Sequence, residues 1–440
     1  MSCNRAENVI YLSFNANSVT GVVQTVAQTF ISLMVSPMKL IAPIAVSLLA
    51  LLAGSATAAE KIVVAGRDGV YADALKLVIS LYNEAHPDAP VEQLSLPIDG
   101  LLQQATLAAR EGVNAYDVIM LDDTWAPQFM SNGWLADLDA LGGGLDEDFA
   151  KGMRDVSRWP VGTGTAYAVP FIGNVELFAY RSDLMDRPET WDDVLAAAER
   201  LNTDGMSGLV FRGKVANPIV SGFVPLLWAY GGDIIDAEGK PVLDSEAAVT
   251  ALETFIKLAD YAPTGVEAYD AAEVRTALQD GTTAMAIELW PSWAPDLDDA
   301  SKSQVAGKIE LIPTPGQVNP PAAMLGSWLL GIPANAPHPE DARAFIDFMT
   351  SPEVQKELAL QTGTPPTRES VYTDADVVAK YRWYPGQFEA LQNARPRPRI
   401  TQWAEVETIL GDFLQLALIG DMDATTALKE ANARIADALK

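Results

Sequence analysis

Tryptophan, aspartate and arginine side chains near the ends of apolar runs have the clearest potential for chemistry. Four of the ten tryptophans, Trp290, Trp293, Trp328 and Trp403, lie near predicted loop–strand junctions or after an Arg-Pro pair. The apolar C–H faces of a pyranose ring stack on aromatic rings, and its hydroxyls suit carboxylate, amide and guanidinium partners. This combination favours a carbohydrate-binding cleft. For any single tryptophan, packing in a hydrophobic core is the alternative.

Residues that would support catalysis are sparse. Asp122, Asp123 and Glu288 are candidates for the two carboxyl groups that glycoside hydrolysis requires. Alternatively, one of the two aspartates caps the following helix and the other accepts hydrogen bonds from ligand hydroxyls. The motifs of serine hydrolases, zinc proteases and P-loop proteins do not occur, nor does a dinucleotide fingerprint after the first strand. The two histidines, His86 and His338, stand beside prolines in predicted surface segments. We therefore expect no enzymatic activity and no cofactor.

The elements that position these residues alternate between strand and helix. Residues 61–65 and 117–121 are short apolar runs typical of buried strands, and a helical pattern between them ends at His86-Pro87. Parallel strands joined by helices form a doubly wound sheet, which binds ligands beyond the carboxyl ends of its strands. Those ends carry Gly66-Arg67-Asp68 and Asp122-Asp123, so we place Arg67 and Asp68 in the candidate site.

A second α/β set follows in the same chain. Strands are predicted at residues 168–171, 176–180, 208–212, 284–288, 309–312 and 329–332, with helices at 191–201, 218–230 and 246–261. Beyond Pro339 the pattern is nearly all helical. The chain has no repeat and no long linker, so the two sets are expected to exchange segments.

Composition is that of a globular, strongly acidic protein. The 440 residues, 49% hydrophobic and 20% charged, suffice for two domains. A net charge of −28 opposes binding to nucleic acid and to anionic membranes. The one cysteine, Cys3, lies in a segment expected to be removed, so neither a thiol nucleophile nor a cysteine metal site is expected.

The N-terminal region has the features of a signal peptide. Met38-Lys39 is a short basic start, residues 40–53 are almost wholly apolar, and Ala56-Thr57-Ala58 supplies a small-x-small cleavage pattern. We predict a cleaved signal peptide at 38–58. Residues 1–37 are then an over-extended N-terminus, with a long leader as the alternative. No lipidation pattern follows, so a soluble periplasmic protein without a membrane anchor is expected.

An ordered series of short motifs resembles the extracellular solute-binding proteins of family 1, the group that contains maltose- and trehalose-binding receptors. The resemblance spans essentially residues 60–440. Its motifs are Tyr116-Asp117-Val118-Ile119 with Asp123, Gly133-Trp134-Leu135, Val169-Pro170 before Asn174, Trp228-Ala229-Tyr230-Gly231-Gly232, Gly281 to Ile287, Trp290-Pro291-Ser292-Trp293, Leu325-Gly326-Ser327-Trp328, Ala344 to Ser351, Gly363 to Arg368, and Arg397-Pro398.

The resemblance implies a type II periplasmic-binding-protein fold, in which two α/β lobes close on a ligand like a clamshell. The implied N-lobe is 60–170 plus 284–334, and the implied C-lobe is 171–283 plus 335–440. Chain crossings between the lobes are expected near residues 169–171, 284–288 and 332–335.

The resemblance also implies a function and a set of ligand contacts. The protein would be the monomeric receptor of an ABC importer, delivering a carbohydrate to the transmembrane permease subunits. The implied contacts are Asp123, Asn174, Trp290, Trp293, Gly326, Ser327, Trp328 and Arg397, with Trp403 as a nearby stacking candidate.

One departure from the family pattern leaves the ligand open. Members often carry a Glu or Asn contact near the helix start at 217–223, where this chain has Asn217 and no carboxylate. Monosaccharides, disaccharides, polyols and glycosides therefore all stay candidates. The alternative functions are a periplasmic carbohydrate-active hydrolase and a receptor for a non-sugar solute.

The apolar run and its Ala-x-Ala end generate a first testable prediction. Exported protein is expected to begin at Ala59 or Glu60 and to carry no lipid. N-terminal sequencing and intact mass of the exported protein check this. Recovery of protein that retains residues 1–37 would contradict it.

Overall fold

The computed structural model describes residues 61–440. The predicted signal peptide at 38–58, residues 1–37 and Cys3 lie outside the described residues. Most of the described strands are short apolar runs buried on both faces, as expected for sheets covered by helices. The strands, in chain order, are β1 (Ile62–Arg67), β2 (Val91–Leu96), β3 (Val118–Asp122), β4 (Arg158–Trp159), β5 (Thr165–Ala166), β6 (Ala168–Ile172), β7 (Leu177–Arg181), β8 (Met285–Leu289), β9 (Ile309–Ile312) and β10 (Trp328–Gly331).

Helices fill most of the remaining chain, and several begin with a side-chain cap. Thr190 and Asp270 form capping boxes, in which the cap side chain and the third helical residue satisfy each other's backbone amides. The helices are α1 (Val70–Ala85), α2 (Ile98–Glu111), α3 (Ala126–Ser131), α4 (Lys151–Val156), α5 (Trp191–Leu201), α6 (Asn217–Ala229), α7 (Glu246–Ala259), α8 (Ala271–Gln279), α9 (Ala294–Asp298), α10 (Pro339–Met349), α11 (Pro352–Thr362), α12 (Glu369–Tyr372), α13 (Ala375–Lys380), α14 (Tyr384–Gln392), α15 (Trp403–Leu418) and α16 (Ala424–Ala438).

Two larger sheets organise the chain into two lobes. The first has the order β2-β1-β3-β10-β6, with β1 parallel to β2 and β3, and β10 antiparallel to both of its neighbours. Helices α10 and α11 pack on α1 in this lobe. The second sheet has the order β8-β7-β9, and helices α6, α7, α15 and α16 pack together in that lobe. The predicted α/β architecture is therefore confirmed. No helix among residues 61–440 is long and apolar enough to span a membrane.

Strand pairing differs from the predicted lobe boundaries. Strands β8 and β9 pair with β7, so residues 285–312 go with the second sheet and not with the first strands of the chain. Helices α10 and α11, predicted in the C-lobe, pack on α1 of the first lobe. The partition that the resemblance implied was wrong for these segments, because the partners of a strand or helix are chosen by long-range packing that short motifs do not encode.

The chain passes between the two sheets in three stretches that are hydrogen-bonded to one another. These stretches contain residues 173–176, 323–326 and 394–397. The Gly326 amide donates to the Asn174 carbonyl at 3.1 Å, and the Leu325 amide donates to the Arg395 carbonyl at 2.8 Å. We call these three stretches the crossing ribbon. The predicted crossing near 169–171 lies just before its first stretch. The crossings expected at 284–288 and 332–335 were wrong, because the first of these segments belongs to the second lobe and the other belongs to the first lobe.

Candidate functional site

A cavity of about 560 Å³ lies over the crossing ribbon and is walled by both lobes. Its lining includes the carboxyl ends of β1 and β3, the N-terminal end of α6 and the turn after β8. The predicted site residues that line it are Arg67, Asn174, Trp290, Trp293, Gly326, Trp328 and Arg397. Arg67, which was predicted from its place at the carboxyl end of a strand, and the residues implied by the family resemblance therefore line the same cavity.

The first-lobe wall places a guanidinium over two aromatic rings. The Arg67 guanidinium carbon lies 4.6 Å from the ring centre of Tyr71 and 5.2 Å from that of Trp328. The two rings are themselves 5.3 Å apart and tilted by 45°. Cation–π contacts of this kind orient a guanidinium without using its N–H donors. Those donors remain available to a ligand in the cavity.

The second-lobe wall carries two indoles after β8. Trp290 and Trp293 are each 8% exposed; Trp290 precedes the short helical turn Pro291–Trp293, and Trp293 ends it. The Trp290 ring lies directly against Gly326, where an added Cβ would stand 2.4 Å from ring atom Cζ3. Glycine is therefore required at position 326 for the indole to reach the ribbon.

The floor of the cavity is an ion-pair cluster around Arg397. Its Nη2 lies 3.3 Å from Asp122 Oδ1 and 3.2 Å from Asp123 Oδ1, and its Nη1 lies 3.7 Å from Glu407 Oε1. Burial lowers the pKa of Arg397, but the charges of Asp122 and Asp123 raise it by more, so the pKa lies above its ordinary value. Arg397 therefore carries a fixed positive charge at this floor.

Asp123, predicted as a ligand contact, lies beneath the cavity and not on its wall. Its side chain is fully buried and pairs with Arg397 and Arg399. Burial raises the pKa of Asp123 to about 6, although Arg397 lowers it, so the carboxyl is ionised at neutral pH. Its neighbour Asp122 lines the cavity instead and accepts from the Thr124 amide at 3.0 Å. Asp122 therefore occupies the cavity position that the resemblance implied for Asp123.

Three further predicted residues do not line the cavity. Asp68 is exposed, and Ser327 is fully buried, and neither is among the lining residues. Trp403, the first residue of α15, is 1% exposed and belongs to the second-lobe core. Core packing was the alternative considered for each tryptophan, and it holds for this one.

Asn174 lies at the crossing ribbon and has unused hydrogen-bonding capacity. Its Nδ2 donates to the Tyr71 hydroxyl at 2.9 Å, which joins the ribbon to the first-lobe wall. Its Oδ1 has no hydrogen-bond partner among residues 61–440, although the residue is 1% exposed and lines the cavity. Buried polar groups usually have partners, so this acceptor is suited to a ligand hydroxyl.

Several lining residues were missed by sequence reasoning, among them Tyr71, Arg212 and Asp270. Arg212 ends a predicted strand at 208–212, so the reasoning that selected Arg67 at the end of its strand would have selected Arg212 too. Tyr71 gave no separate signal, because it falls on the buried face of a helical pattern. Asp270 caps α8, and a capping pattern alone does not indicate a cavity. Among residues 61–440 no cluster of three or more metal-ligating side chains occurs.

Comparisons with known proteins agree with this geometry. The family model described as "Bacterial extracellular solute-binding protein" matches residues 68–356. A probable ABC transporter-binding protein of Deinococcus radiodurans is 29% identical over 53% of this chain and 59% of its own length. The mannitol-binding protein of Pseudomonas aeruginosa is 26% identical over 82% of this chain and 88% of its own length. Maltose-bound MalE3 of T. maritima superposes with a TM-score of 0.78 at 28% identity, covering 85% of this chain and 98% of that one.

The cluster at the cavity floor generates a second prediction. Arg397→Met removes the cation that pairs with Glu407 and one of the two cations that pair with Asp123, and breaking a buried ion pair typically costs about 3–5 kcal/mol of unfolding free energy. Burial raises the pKa values of Asp123 and Glu407, and the loss of Arg397 raises them further. Carboxyls with raised folded-state pKa values favour the fold at low pH and lose that contribution as pH rises. The loss of unfolding free energy in Arg397→Met, relative to wild type, is therefore expected to be larger at about pH 8 than at about pH 5.

Urea unfolding of Arg397→Met and wild type at the two pH values measures this difference. Arg395→Met is the matched control, because Arg395 lies two residues away and makes a half-exposed ion pair with Asp233 at 2.9 Å. Such surface pairs contribute about 0–1 kcal/mol to stability, so the control is expected to lose little unfolding free energy at either pH. Equal deficits for Arg397→Met at both pH values would contradict the cluster's role.

Proposed function

Because the chain belongs to the bacterial extracellular solute-binding proteins, we propose that it captures a neutral sugar or sugar alcohol for an ABC importer. The observation that carries the proposal is a cavity whose walls pair the indoles of Trp290 and Trp293 with polar groups on the opposite lobe. The names of relatives that bind maltose and mannitol support the same ligand class. The protein would hand its ligand to the permease subunits of the importer.

The charges that line the cavity balance, since four carboxylates, Asp99, Asp122, Asp270 and Glu273, offset Arg67 and the three other cations, and this balance favours a ligand without net charge. Arg397 is matched by Asp122, and Lys214 lies 3.3 Å from Asp270. Arg212 is matched by Asp270 at 2.9 Å and by Glu288. Matched pairs of this kind offer oriented donors and acceptors while adding little net potential. A polyhydroxylated ligand uses both kinds of group, and its C–H faces fit the indoles.

Binding would be coupled to closure of the lobes. The walls belong to different lobes, whereas Asn174 and Arg397 belong to the crossing ribbon that joins them. A ligand that contacts both walls has more contacts in the closed state, and this difference in binding free energy selects that state. The three hydrogen-bonded crossings would act as the hinge.

We propose no catalytic step. Asp122, the cavity carboxylate nearest to the floor, accepts from the Thr124 hydroxyl at 2.7 Å and pairs with Arg397. Glycoside hydrolysis needs a proton-donating acid and a second carboxyl that faces the scissile bond. Asp122 Oδ1 already accepts from Thr124 and Arg397, so its position fits a hydrogen-bond acceptor better than a proton donor. Export to the periplasm through a cleaved signal peptide and a monomeric state complete the proposal.

Ligand-induced stabilisation and compaction test the proposed function directly. Maltose, trehalose, mannitol and ribitol form the panel, and the correct ligand should stabilise the fold by about 4 kcal/mol at a thousandfold excess over Kd. The same compound should reduce the radius of gyration in small-angle scattering. Tight binding without compaction would contradict closure. Product sugars that accumulate over hours would instead support the hydrolase alternative.

A pair of tryptophan variants separates ligand stacking from core packing. Trp293→Ala is expected to weaken binding by about 2–4 kcal/mol, or roughly 30- to 1000-fold in Kd, because it removes a stacking surface from the cavity. Trp403→Ala is expected to lower unfolding free energy by about 3–5 kcal/mol with little change in Kd, because Trp403 is in the core. Calorimetry and melting curves on both variants provide the comparison. A Trp293→Ala protein that binds as tightly as wild type would refute the proposed stacking.

A further inference from the structure

Two buried glutamates lie together behind the second-lobe wall of the cavity. Glu176 and Glu288 are 0% and 1% exposed. Neither carboxyl oxygen of Glu176 has a hydrogen-bond partner among residues 61–440, and Glu288 Oε2 has none there either. Unpaired buried carboxyl groups are costly, so a pair of them beside a binding cavity requires an explanation.

The backbone at Glu288 is strained in a way that aims its side chain. Glu288 adopts a φ of 67°, which non-glycine residues rarely do. The pairing of β8 with β7 shifts at the same place, since Leu177 lies opposite Leu289 but Ala179 lies opposite Ala286. Bulges of this kind bend a strand and re-aim side chains, and strained residues persist only where their surroundings over-determine them.

The carboxyl group of Glu288 contacts two residues that line the cavity. Its Oε1 accepts from Trp290 Nε1 at 3.0 Å and forms an ion pair with the Arg212 guanidinium. Arg212 is held from its other edge by Asp270, 2.9 Å from its Nε. One buried oxygen atom therefore sets the position of an indole and a guanidinium at the same wall.

We propose that Glu288 is a positioning residue, whose buried Oε1 holds Trp290 and Arg212 in their ligand-binding orientation. Loss of the charge on Glu288 removes the charge-assisted bond to the indole and the anionic partner of Arg212. The consequence for ligand affinity rests on the proposed function. The positioning itself is a property of the ligand-free protein.

The charged groups around the pair indicate how it titrates. Arg212, Asp270 and Arg397 are the charged groups that face the two glutamates. On the side of α6, the residue next to Glu288 is Gly222, which adds no charge. Burial raises the pKa of Glu288 to about 7, although Arg212 lowers it. Burial and the neighbouring Glu288 charge raise the pKa of Glu176 well above its ordinary value. Glu288 therefore changes charge near pH 7, and a charge on Glu288 favours the protonated form of Glu176.

Nitrogen-15 NMR of the tryptophan indoles tests the proposal without a ligand. The Trp290 indole signal, assigned by its loss in Trp290→Phe, is expected to shift with a midpoint near pH 7 between about pH 5.5 and pH 8.5. Glu288→Gln should abolish this shift. Glu176→Gln mimics the protonated acid and should retain it. A wild-type signal that does not move, or one that titrates equally in Glu288→Gln, would overturn the proposal.

A conservative variant and a binding measurement complete the test. If Glu288→Gln does not fold, Glu288→Asp decides, because a shifted midpoint is expected and an unchanged one would overturn the assignment. With maltose and mannitol as probes, affinity should fall about tenfold from pH 8 to pH 6 in wild type and by clearly less in Glu288→Gln, where only Asp123 at the floor still titrates near pH 6. If neither probe binds, the proposed function fails for these ligands while the NMR titration still decides the positioning role.

Discussion

The buried guanidinium of Arg397 is the interaction on which the site depends. A buried charge is tolerated only with well-placed partners, and here Asp122 and Asp123 approach from the end of β3 while Glu407 approaches from α15. These partners belong to different lobes, so satisfying one cation brings the two lobes together at the crossing ribbon. Burial of Asp123 and the position of the cavity floor both follow from this requirement.

Residues of the crossing ribbon and residues of the two walls have different places in the movement of the lobes. Arg397 and Asn174 lie in the crossing ribbon, whereas Arg67 and Trp290 lie on opposite lobes. Movement of one lobe relative to the other would therefore change the distance between the walls, while Arg397 and Asn174 stay in the ribbon. The aromatic surfaces and the hydrogen-bonding groups meet around a ligand only when the walls approach.

Sequence reasoning located the parts of this site that depend on local pattern. Arg67 was found because it ends an apolar strand, and Trp293 because it belongs to an ordered family motif. Asp123 was misassigned because its role depends on Arg397, 274 positions away in the chain. The pairing of β8 with β7 was missed for the same reason: a hydrophobic run predicts a strand but does not select its neighbour. Trp403 was placed in the site by proximity in sequence, whereas helix α15 turns its ring into the core.

A crystal structure of the protein with the tightest-binding sugar of the panel tests the central claim most directly, which is that the ligand is held between the lobes over the Arg397 cluster. The account predicts a sugar ring against Trp290 or Trp293, hydroxyls within hydrogen-bond distance of Asn174 or Arg67, and the Arg397 ion pairs intact beneath it. A sugar bound outside this cavity, or one that displaces Asp122 from Arg397, would contradict the account.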